Sequence, residues 1–253
     1  MKILLTGSRG FIGTRLSKIL EEANHEVIGI DLLDGNNLLD CSLEHEVDLV
    51  IHLAGKSGVR ESLQDPGSYW LNNVEASRRL FSRYKNTRIL YASSSTVYEP
   101  NLNPYANSKR VIEEIAPINS LGLRFHTVYD YNSRSNMFMY KLLNNQLEYV
   151  TNHSRDFIHI DDACEAVMKI IYHTSMCGYV DVGTGVSVFI RDLVEDDLLI
   201  KEQTPEERIH TQADIKILES IGFKPKYSVI NFLNNHKKKS IIKTYGENHE
   251  RHS

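Results

Sequence analysis

The order of apolar and polar positions along the first half of the chain predicts alternating strands and helices. The short apolar runs that indicate strands are KILLT (2–6), EVIGI (26–30), DLVIHLA (48–54), RILYAS (88–93) and GLRFHTV (122–128). Between the first two, the segment 11–23 carries apolar residues three or four positions apart, which is typical of an amphipathic helix. Similar helical patterns lie near 72–85 and 105–118.

This alternation predicts an α/β protein with a doubly wound parallel sheet. The strand candidates are apolar throughout, as expected for strands that helices cover on both faces. After about residue 130 the pattern becomes less regular. We therefore expect a sheet core in residues 1–130, and in residues 131–253 mostly a small C-terminal lobe with returns to the core sheet.

Composition and charge narrow the possible partners. The 253 residues carry a formal net charge of -4 with mixed signs, which gives no long-range attraction for nucleic acid or an anionic membrane. No apolar run is long enough to span a bilayer, and MKILLTGS turns polar too early for a signal peptide. We expect a soluble cytoplasmic protein with reduced cysteines and no metal site, since Cys41, Cys164 and Cys177 lack ligand spacing. The basic run 237–239 predicts only a solvated tail.

The first predicted strand ends in TGSRGFIG, which places Gly7, Gly10 and Gly13 in a strand-to-helix turn. Such glycines let the backbone approach a pyrophosphate, which the helix N-terminus stabilises. The second strand ends at Asp31, where a carboxylate can accept hydrogen bonds from an adenosine ribose and would repel a 2′-phosphate. The pattern favours NAD over NADP, although Arg9 inside the turn leaves NADP open.

A second group of polar residues follows the fourth strand. Three serines (93–95) end the apolar run, and Tyr105 and Lys109 stand four residues apart in the next helical pattern. Positions i and i+4 share one face of a helix, so both side chains can point at one bound molecule. A nearby ammonium and a nicotinium ring favour the phenolate, so this tyrosine is a candidate general base.

Together these motifs resemble the extended short-chain dehydrogenase/reductases, and RDFIHIDD (155–162) and DVGTG (181–185) resemble their nucleotide-sugar epimerase/dehydratase group. The resemblance covers residues 2 to about 230. It implies that the sheet core is a Rossmann-type NAD-binding domain and that the C-terminal lobe binds the substrate. Besides the glycines, Asp31, Tyr105 and Lys109, it implies cofactor contacts from Phe11, Ile12, Asp40, Leu53, Ala54, Gly55 and Asn73. It also implies a homodimer formed through the helices near 72–85 and 105–118.

The resemblance also implies the catalytic roles. Tyr105 takes a proton from a sugar hydroxyl while hydride leaves the same carbon for NAD, Lys109 holds the nicotinamide ribose, and Ser94 binds the reacting oxygen. Related dehydratases carry an Asp-Glu pair after that hydroxyl, whereas this chain has Ser95 and Thr96. Without a carboxylate there, elimination lacks a proton carrier, and 4-epimerisation is the expected reaction.

The subgroup that this chain resembles most is the UDP-glucuronate 4-epimerases. SGVRESLQDP (57–66) resembles their AGVR-x-SL segment, and GLRFHTVY (122–129) resembles GLRFFTVYG. The implied substrate contacts are Ser94, Ser95 and Thr127 to the sugar carboxylate, Arg134 to the nucleotide-sugar, and Arg155 to its diphosphate.

Some positions depart from that subgroup. Asp130 and Tyr131 replace a Gly-Pro pair, and Glu99 replaces a glycine. A late Arg-Pro-Gly-Asp motif survives only as TQAD (211–214), which lacks the arginine. Arg208 and Arg155 are the candidate replacements for that arginine. The chain is also shorter than is usual, mostly in the lobe. Two alternatives therefore stay open: a reductase that uses exchangeable NADPH, and a noncatalytic NAD-binding or nucleotide-sugar-binding regulator.

Five further residues have structural interpretations, one of them beside a functional alternative. We expect Asp161 and Asp162 to cap a helix that begins near Ala163, and His52 and His159 to be structural. Asn73 fits two roles equally well, as a helix cap or as a residue that orients the tyrosine region.

Overall fold

The computed structural model describes residues 1–194, 198–201 and 204–236, so the lysine run 237–239 lies outside the described residues. The strands are β1 (Lys2–Thr6), β2 (Glu26–Ile30), β3 (Leu49–His52), β4 (Arg88–Ser94), β5 (Leu121–Phe125), β6 (Thr127–Tyr129), β7 (Tyr149–Thr151), β8 (Ser154–His159), β9 (Gly178–Val182), β10 (Ser187–Phe189) and β11 (Leu199–Lys201). The α-helices are α1 (Phe11–Glu22), α2 (Val59–Gln64), α3 (Pro66–Tyr69), α4 (Ala76–Arg83), α5 (Pro104–Ile115), α6 (Phe138–Leu143), α7 (Ile160–Ile171) and α8 (Lys216–Ser220). A further helical segment begins at residue 229.

The main sheet has six parallel strands in the order β2-β1-β3-β4-β5-β9. The strand order reverses at β1, which pairs with β2 on one side and with β3 on the other. In open α/β sheets ligands bind at such a reversal, beyond the carboxyl ends of the strands. The predicted glycine turn lies at this edge of the sheet because it follows β1 directly.

Helices cover both faces of this sheet, as its uniformly apolar strands predict. On one face, α1 and α7 pack in a core that includes Leu16, Leu20 and Val167, all 0% exposed. On the other face, α4 and α5 contribute Leu80 and Ile112 to a second core. The predicted doubly wound architecture is therefore confirmed.

The prediction of a single strand over 122–128 is wrong, because the structure has two strands there. β5 ends at Phe125, and after His126 the chain begins β6, which belongs to a different sheet with β8 and β10. The His126 N–H still donates to Val182 O at 2.9 Å, so the main sheet continues as far as this residue. Because β5 and β6 are both mostly buried, the apolar pattern gave no sign of the change of sheet.

The second half returns to the main sheet through β9, which pairs with β5. The remaining strands form the three-stranded sheet β10-β8-β6 and the pair β11-β7. A third apolar core lies beside them and includes Tyr129, Met139 and Phe157. Across the described ranges, no helix has both the length and the apolar character needed to cross a membrane.

Helix α7 corrects the prediction for Asp161 and Asp162. It begins at Ile160, and its cap is His159, whose Nδ1 accepts the Asp161 N–H at 3.2 Å. Asp161 instead forms an ion pair with Arg15 at 2.6 Å, and Asp162 accepts the N–H groups of residues 226 and 227 at 3.0 Å. The two aspartates therefore attach α7 to α1 and to the segment before the last helix.

Candidate active site

A cavity of about 980 Å³ lies at the carboxyl edge of the main sheet, where the strand order reverses. It is lined by residues from both halves of the chain. The predicted site residues that line it are Gly7, Gly10, Phe11, Ile12, Gly13, Asp31, Leu53, Ala54, Gly55, Ser94, Tyr105, Lys109, Thr127, Arg134 and Arg155.

Three predicted site residues do not line this cavity. Asp40 is exposed outside it, and Asn37 and Leu38 lie at the wall instead, so the predicted adenine contact of Asp40 is not supported by its position. Asn73 lies fully buried behind the wall. Ser95 lines an adjacent, smaller cavity.

The glycine turn brings the ends of β1 and β3 together. Gly7 has φ +71°, and a Cβ atom on it would lie 2.6 Å from the Ala54 nitrogen. A Cβ on Gly13 would meet the carbonyl oxygen of Gly7 and lie 2.9 Å from its carbonyl carbon. Any side chain at these positions would therefore force α1 and the 53–55 segment away from the turn.

Asp31 holds the loop beside this turn. Its carboxylate accepts the Arg9 N–H at 2.9 Å and the Leu33 N–H at 3.0 Å. The Arg9 guanidinium bonds Asp34 at 2.7 Å. The Arg9 guanidinium, which had kept NADP as a possible cofactor, is thus paired with a carboxylate. Asp31 remains at the cavity wall and can accept further hydrogen bonds.

Helix α5 positions the predicted catalytic pair. It begins with Pro104, and the Asn103 side chain caps it by accepting the Ala106 N–H at 2.8 Å. Lys109, 5% exposed, donates from Nζ to the Ala92 carbonyl at 2.8 Å. Burial lowers the pKa of Lys109 to about 8. The helix therefore holds a largely desolvated ammonium against the end of β4.

The Tyr105 hydroxyl lies beside Ser94. Burial raises the pKa of Tyr105, while a hydrogen bond with Ser94 and the charge of Arg134 oppose this change. The Ser94 oxygen accepts from the Thr96 N–H at 3.2 Å and from the Thr96 hydroxyl at 3.0 Å. Because both acceptor positions of Ser94 are then used, its own proton is directed to the tyrosine or to a bound oxygen.

Of the two roles predicted for Asn73, the helix cap is wrong. It lies in a π-helical stretch, Trp70–Glu75, inside a continuous helical run that begins at Pro66 and is capped by Asp65. Its Oδ1 accepts the Lys56 N–H at 2.7 Å, and its Nδ2 donates to Lys56 O at 3.0 Å and to Ser108 Oγ at 2.9 Å. Asn73 thus joins the 55–56 backbone to α5 next to Lys109, which agrees with its alternative role.

His52 is structural, as predicted. Its ring bonds Thr6 Oγ1 at 2.6 Å and Ser77 Oγ at 2.8 Å. Burial and the charge of Lys109 lower its pKa to about 3, so the imidazole stays neutral at physiological pH. His159 also has a structural role, because it caps α7 and stacks on Tyr227 at 4.1 Å.

Two arginines of the C-terminal half, Arg134 and Arg155, line the same cavity. Arg134 donates to Ser57 Oγ at 2.7 Å. Arg155 bonds Glu207 at 3.1 Å and the carbonyl of Arg208 at 2.7 Å. Glu207 was missed from the sequence, because an acidic residue in a polar loop gives no signal of its tertiary partner.

The fold is of the Rossmann type, and the glycine turn lines the same cavity as Ser94, Tyr105 and Lys109. The model of the NAD dependent epimerase/dehydratase family matches residues 3–179, and the chain belongs to this family. NAD is therefore its cofactor. The chain's own residues fit NAD, since the glycine turn, Asp31 and Lys109 line one continuous cavity of sufficient size.

Similar proteins support this membership. An uncharacterized 37.6 kDa protein of Escherichia coli O111:H- is 30% identical over 92% of this chain and 98% of its own length. A probable UDP-glucuronate 4-epimerase of Rhizobium meliloti is 26% identical over 67% of this chain and 68% of its own. The structure of MoeE5 in complex with UDP-glucuronic acid and NAD is 25% identical, with a TM-score of 0.81 over 95% of this chain and 100% of that chain.

The chain has fewer residues than its Escherichia coli relative along their shared alignment. The alignment with the Escherichia coli protein extends over 328 positions yet covers 92% of this chain. Since the chain has 253 residues, tens of aligned positions have no residue here.

Proposed function

We propose that the protein is a nucleotide-sugar 4-epimerase whose substrate is UDP-glucuronate. The observation that carries the proposal is that Ser94, Tyr105 and Lys109 line the same cavity as the glycine turn that follows β1. A probable UDP-glucuronate 4-epimerase among the relatives and the UDP-glucuronic acid complex of MoeE5 support the choice of sugar.

Each catalytic side chain has a task that its contacts permit. Tyr105 removes the proton of the hydroxyl at carbon 4 and later returns it, and Ser94 donates a hydrogen bond to the same oxygen. Lys109 holds the nicotinamide ribose, and bound NAD supplies the hydride acceptor and donor. Arg134, Arg155 and the hydroxyls of Ser94, Ser95 and Thr127 bind the nucleotide-sugar.

Burial alone raises the pKa of Tyr105, in the direction that opposes general-base catalysis. Arg134 and Ser94 already act against this change. Tyr105 would therefore act as a base only with the further positive charge that an oxidised nicotinamide, held by the residues of this cavity, would supply.

The test is a proton NMR time course of the purified protein with UDP-glucuronate and NAD, which follows the anomeric and carbon-4 proton signals. We expect UDP-galacturonate to accumulate toward equilibrium and Tyr105→Phe to stop it. The matched control is Tyr172→Phe, since this tyrosine is 61% exposed and bonds His25 at the surface. An unchanged spectrum with the wild-type protein would refute the proposed substrate.

The assembly and location are further parts of the proposal. We propose a cytoplasmic homodimer that pairs through the helical run 66–83 and α5. Trp70 and Leu71 on that run are 45% and 50% exposed, and a partner subunit at this face would cover both apolar side chains. The three cysteines form no disulfide, which supports the cytoplasmic part of the proposal. We also propose that residues 131–253 mostly bind the substrate. Sedimentation equilibrium tests the dimer, and a monomer at micromolar concentration would contradict it.

A further inference from the structure

The Glu207 carboxylate bridges two arginines at the wall of the main cavity. Arg155 Nη2 donates to its Oε2 at 3.1 Å, and Arg60 Nε lies 3.4 Å from its Oε1. All three residues line this cavity. Arg208, the other candidate for the missing arginine, lines only the smaller adjacent cavity. The proposed diphosphate contact of Arg155 is therefore already occupied by a negative charge of the protein itself.

The Arg155 guanidinium needs a negative partner because it is largely buried. Its side chain is 14% exposed, and burial lowers the pKa of Arg155 while the charge of Glu207 opposes this change. A buried guanidinium that loses its counter-charge destabilises the folded protein strongly. A diphosphate can replace Glu207 as the partner, but the two anions cannot both lie against Arg155, since like charges at short range repel each other.

Arg155 does not depend on Glu207 for its orientation. Its Nη1 donates to the Ser154 carbonyl at 3.0 Å and to the Arg208 carbonyl at 2.7 Å. These neutral backbone acceptors hold one end of the guanidinium, whereas the bond to Glu207 comes from Nη2 at the other end. If the carboxylate leaves, Nη2 stays in place to donate to another anion in the cavity.

Other contacts also hold the segment that carries Glu207. On one side, the Glu206 carbonyl accepts from Asn103 Nδ2 at 2.9 Å. On the other side, Arg208 Nη1 donates to the Ser95 carbonyl at 2.8 Å. The residues next to Glu207 are thus attached independently of its carboxylate. A rotation of the Glu207 side chain alone can therefore exchange the carboxylate for a ligand.

We propose that Glu207 is an internal counterion that occupies the diphosphate position in the free enzyme and leaves it when the nucleotide-sugar binds. This inference rests on the proposed function, in which Arg155 contacts the diphosphate. Binding of the ligand breaks the ion pairs of Glu207, so part of the interaction energy of the diphosphate is used to displace the carboxylate. Glu207 therefore sets the affinity for the diphosphate and takes no part in the chemical step.

The experiment compares ligand affinity with protein stability. The Kd values of UDP and UDP-glucuronate are measured by calorimetry with saturating NAD for the wild type, Glu207→Gln and Glu207→Asp, and the Kd of NAD is measured separately. Glu206→Gln is the matched control, since it makes the same change of charge one residue away and Glu206 lines neither cavity. Thermal unfolding of each protein without added ligand gives its stability.

We expect Glu207→Gln to strengthen the binding of UDP and of UDP-glucuronate about tenfold, the factor that corresponds to about 1.4 kcal/mol. Both ligands should gain by the same factor, because the sugar takes no part in the exchange, and NAD affinity should not change. The melting temperature should fall, because Arg155 then lacks a negative partner in the free protein. A structural ion pair alone would not combine tighter binding with lower stability.

Glu207→Asp keeps the charge on a side chain that is one methylene shorter and reaches the two arginines less well. We expect it to strengthen UDP binding by a smaller factor than Glu207→Gln does. This variant keeps the test valid if Glu207→Gln folds poorly.

Three results would overturn the inference. A folded Glu207→Gln protein that binds UDP no more tightly than the wild type would show a structural role only. An equal gain in Glu206→Gln, or an equal gain in NAD affinity, would show a general effect of net charge. Absence of UDP binding in all the proteins would exclude a diphosphate site.

The same measurements separate this inference from the proposed function. If Glu207→Gln binds UDP more tightly as expected but the wild type forms no epimer from UDP-glucuronate, the inference stands and the proposed function fails. If the epimer forms and Glu207→Gln does not change UDP affinity, the proposed function stands and the inference fails.

Discussion

Replacing Lys109 with methionine should stabilise the folded protein while it removes catalysis. Lys109 is 5% exposed, and burial lowers its pKa from the ordinary 10.5 to about 8. Each pKa unit corresponds to about 1.4 kcal/mol, so keeping Lys109 protonated at pH 7 costs the folded state about 3 kcal/mol. Methionine has no charge to desolvate, but it loses the hydrogen bond to the Ala92 carbonyl, which is worth about 1 kcal/mol. The net gain expected at pH 7 is about 2 kcal/mol.

The same reasoning fixes the pH dependence. The pKa of Lys109 is lower in the folded state, so the unfolded chain binds more protons between pH 8 and 10.5, and wild-type stability contributed by this group rises across that window. The advantage of Lys109→Met should therefore be largest below pH 8 and disappear by pH 10. The assay is urea unfolding of the NAD-free proteins at pH 7 and pH 10.

Lys18→Met is the control, because Lys18 lies on the surface of α1 with its side chain 66% exposed. A surface substitution of this kind should change the free energy of unfolding by less than about 0.5 kcal/mol at either pH. A Lys109→Met protein that is less stable than wild type at pH 7 would refute the reasoning. So would a stability difference that is the same at both pH values.

Three other substitutions test the site and its support. Gly13→Ala places a Cβ against the Gly7 carbonyl, and fluorescence titration should show about tenfold weaker NAD binding, or more, equivalent to about 1.4 kcal/mol. Asp31→Ser removes the charge that repels a 2′-phosphate, so the ratio of NADP to NAD affinity should rise about tenfold, and an unchanged ratio would contradict the assignment. Glu113→Ala leaves Arg124 buried without the carboxylate that accepts its hydrogen bonds at 2.7 and 2.8 Å. Urea unfolding should show that the free energy of unfolding falls by about 3–5 kcal/mol, and a decrease below about 1 kcal/mol would contradict this.

The sequence predicted those parts of the site whose residues lie close together along the chain. The glycine turn follows β1 directly, and Tyr105 and Lys109 lie one helical turn apart on α5, so neighbouring residues alone indicate their geometry. The bounds of β1 and β2 agree with their apolar runs for the same reason. Local patterns were sufficient wherever one strand and one helix build the feature.

The parts that the sequence did not determine depend on contacts between distant segments. Asp40 was assigned by resemblance, and it lies outside the cavity that Asn37 and Leu38 line, so its adenine contact stays a prediction. Asn73 resembles a cap from its position, yet its partners are the backbone of Lys56 and the side chain of Ser108. Asp161 is a better cap residue than His159 by preference, but α7 begins at Ile160, which places Asp161 inside its first turn, where it pairs with Arg15.

The change of sheet at His126 has a consequence for how the lobe varies in size. β5 and β9 are parallel neighbours, so the main sheet fixes both ends of the intervening crossover segment, 126–177, one at each edge of the sheet. Lengthening or shortening the connections between the elements of this segment costs little entropy, since the cost of closing a flexible loop grows only with the logarithm of its length. A chain with tens fewer aligned positions than its relatives can therefore keep an unaltered sheet and cofactor cavity, and loop length becomes a variable that is free to adapt to the sugar.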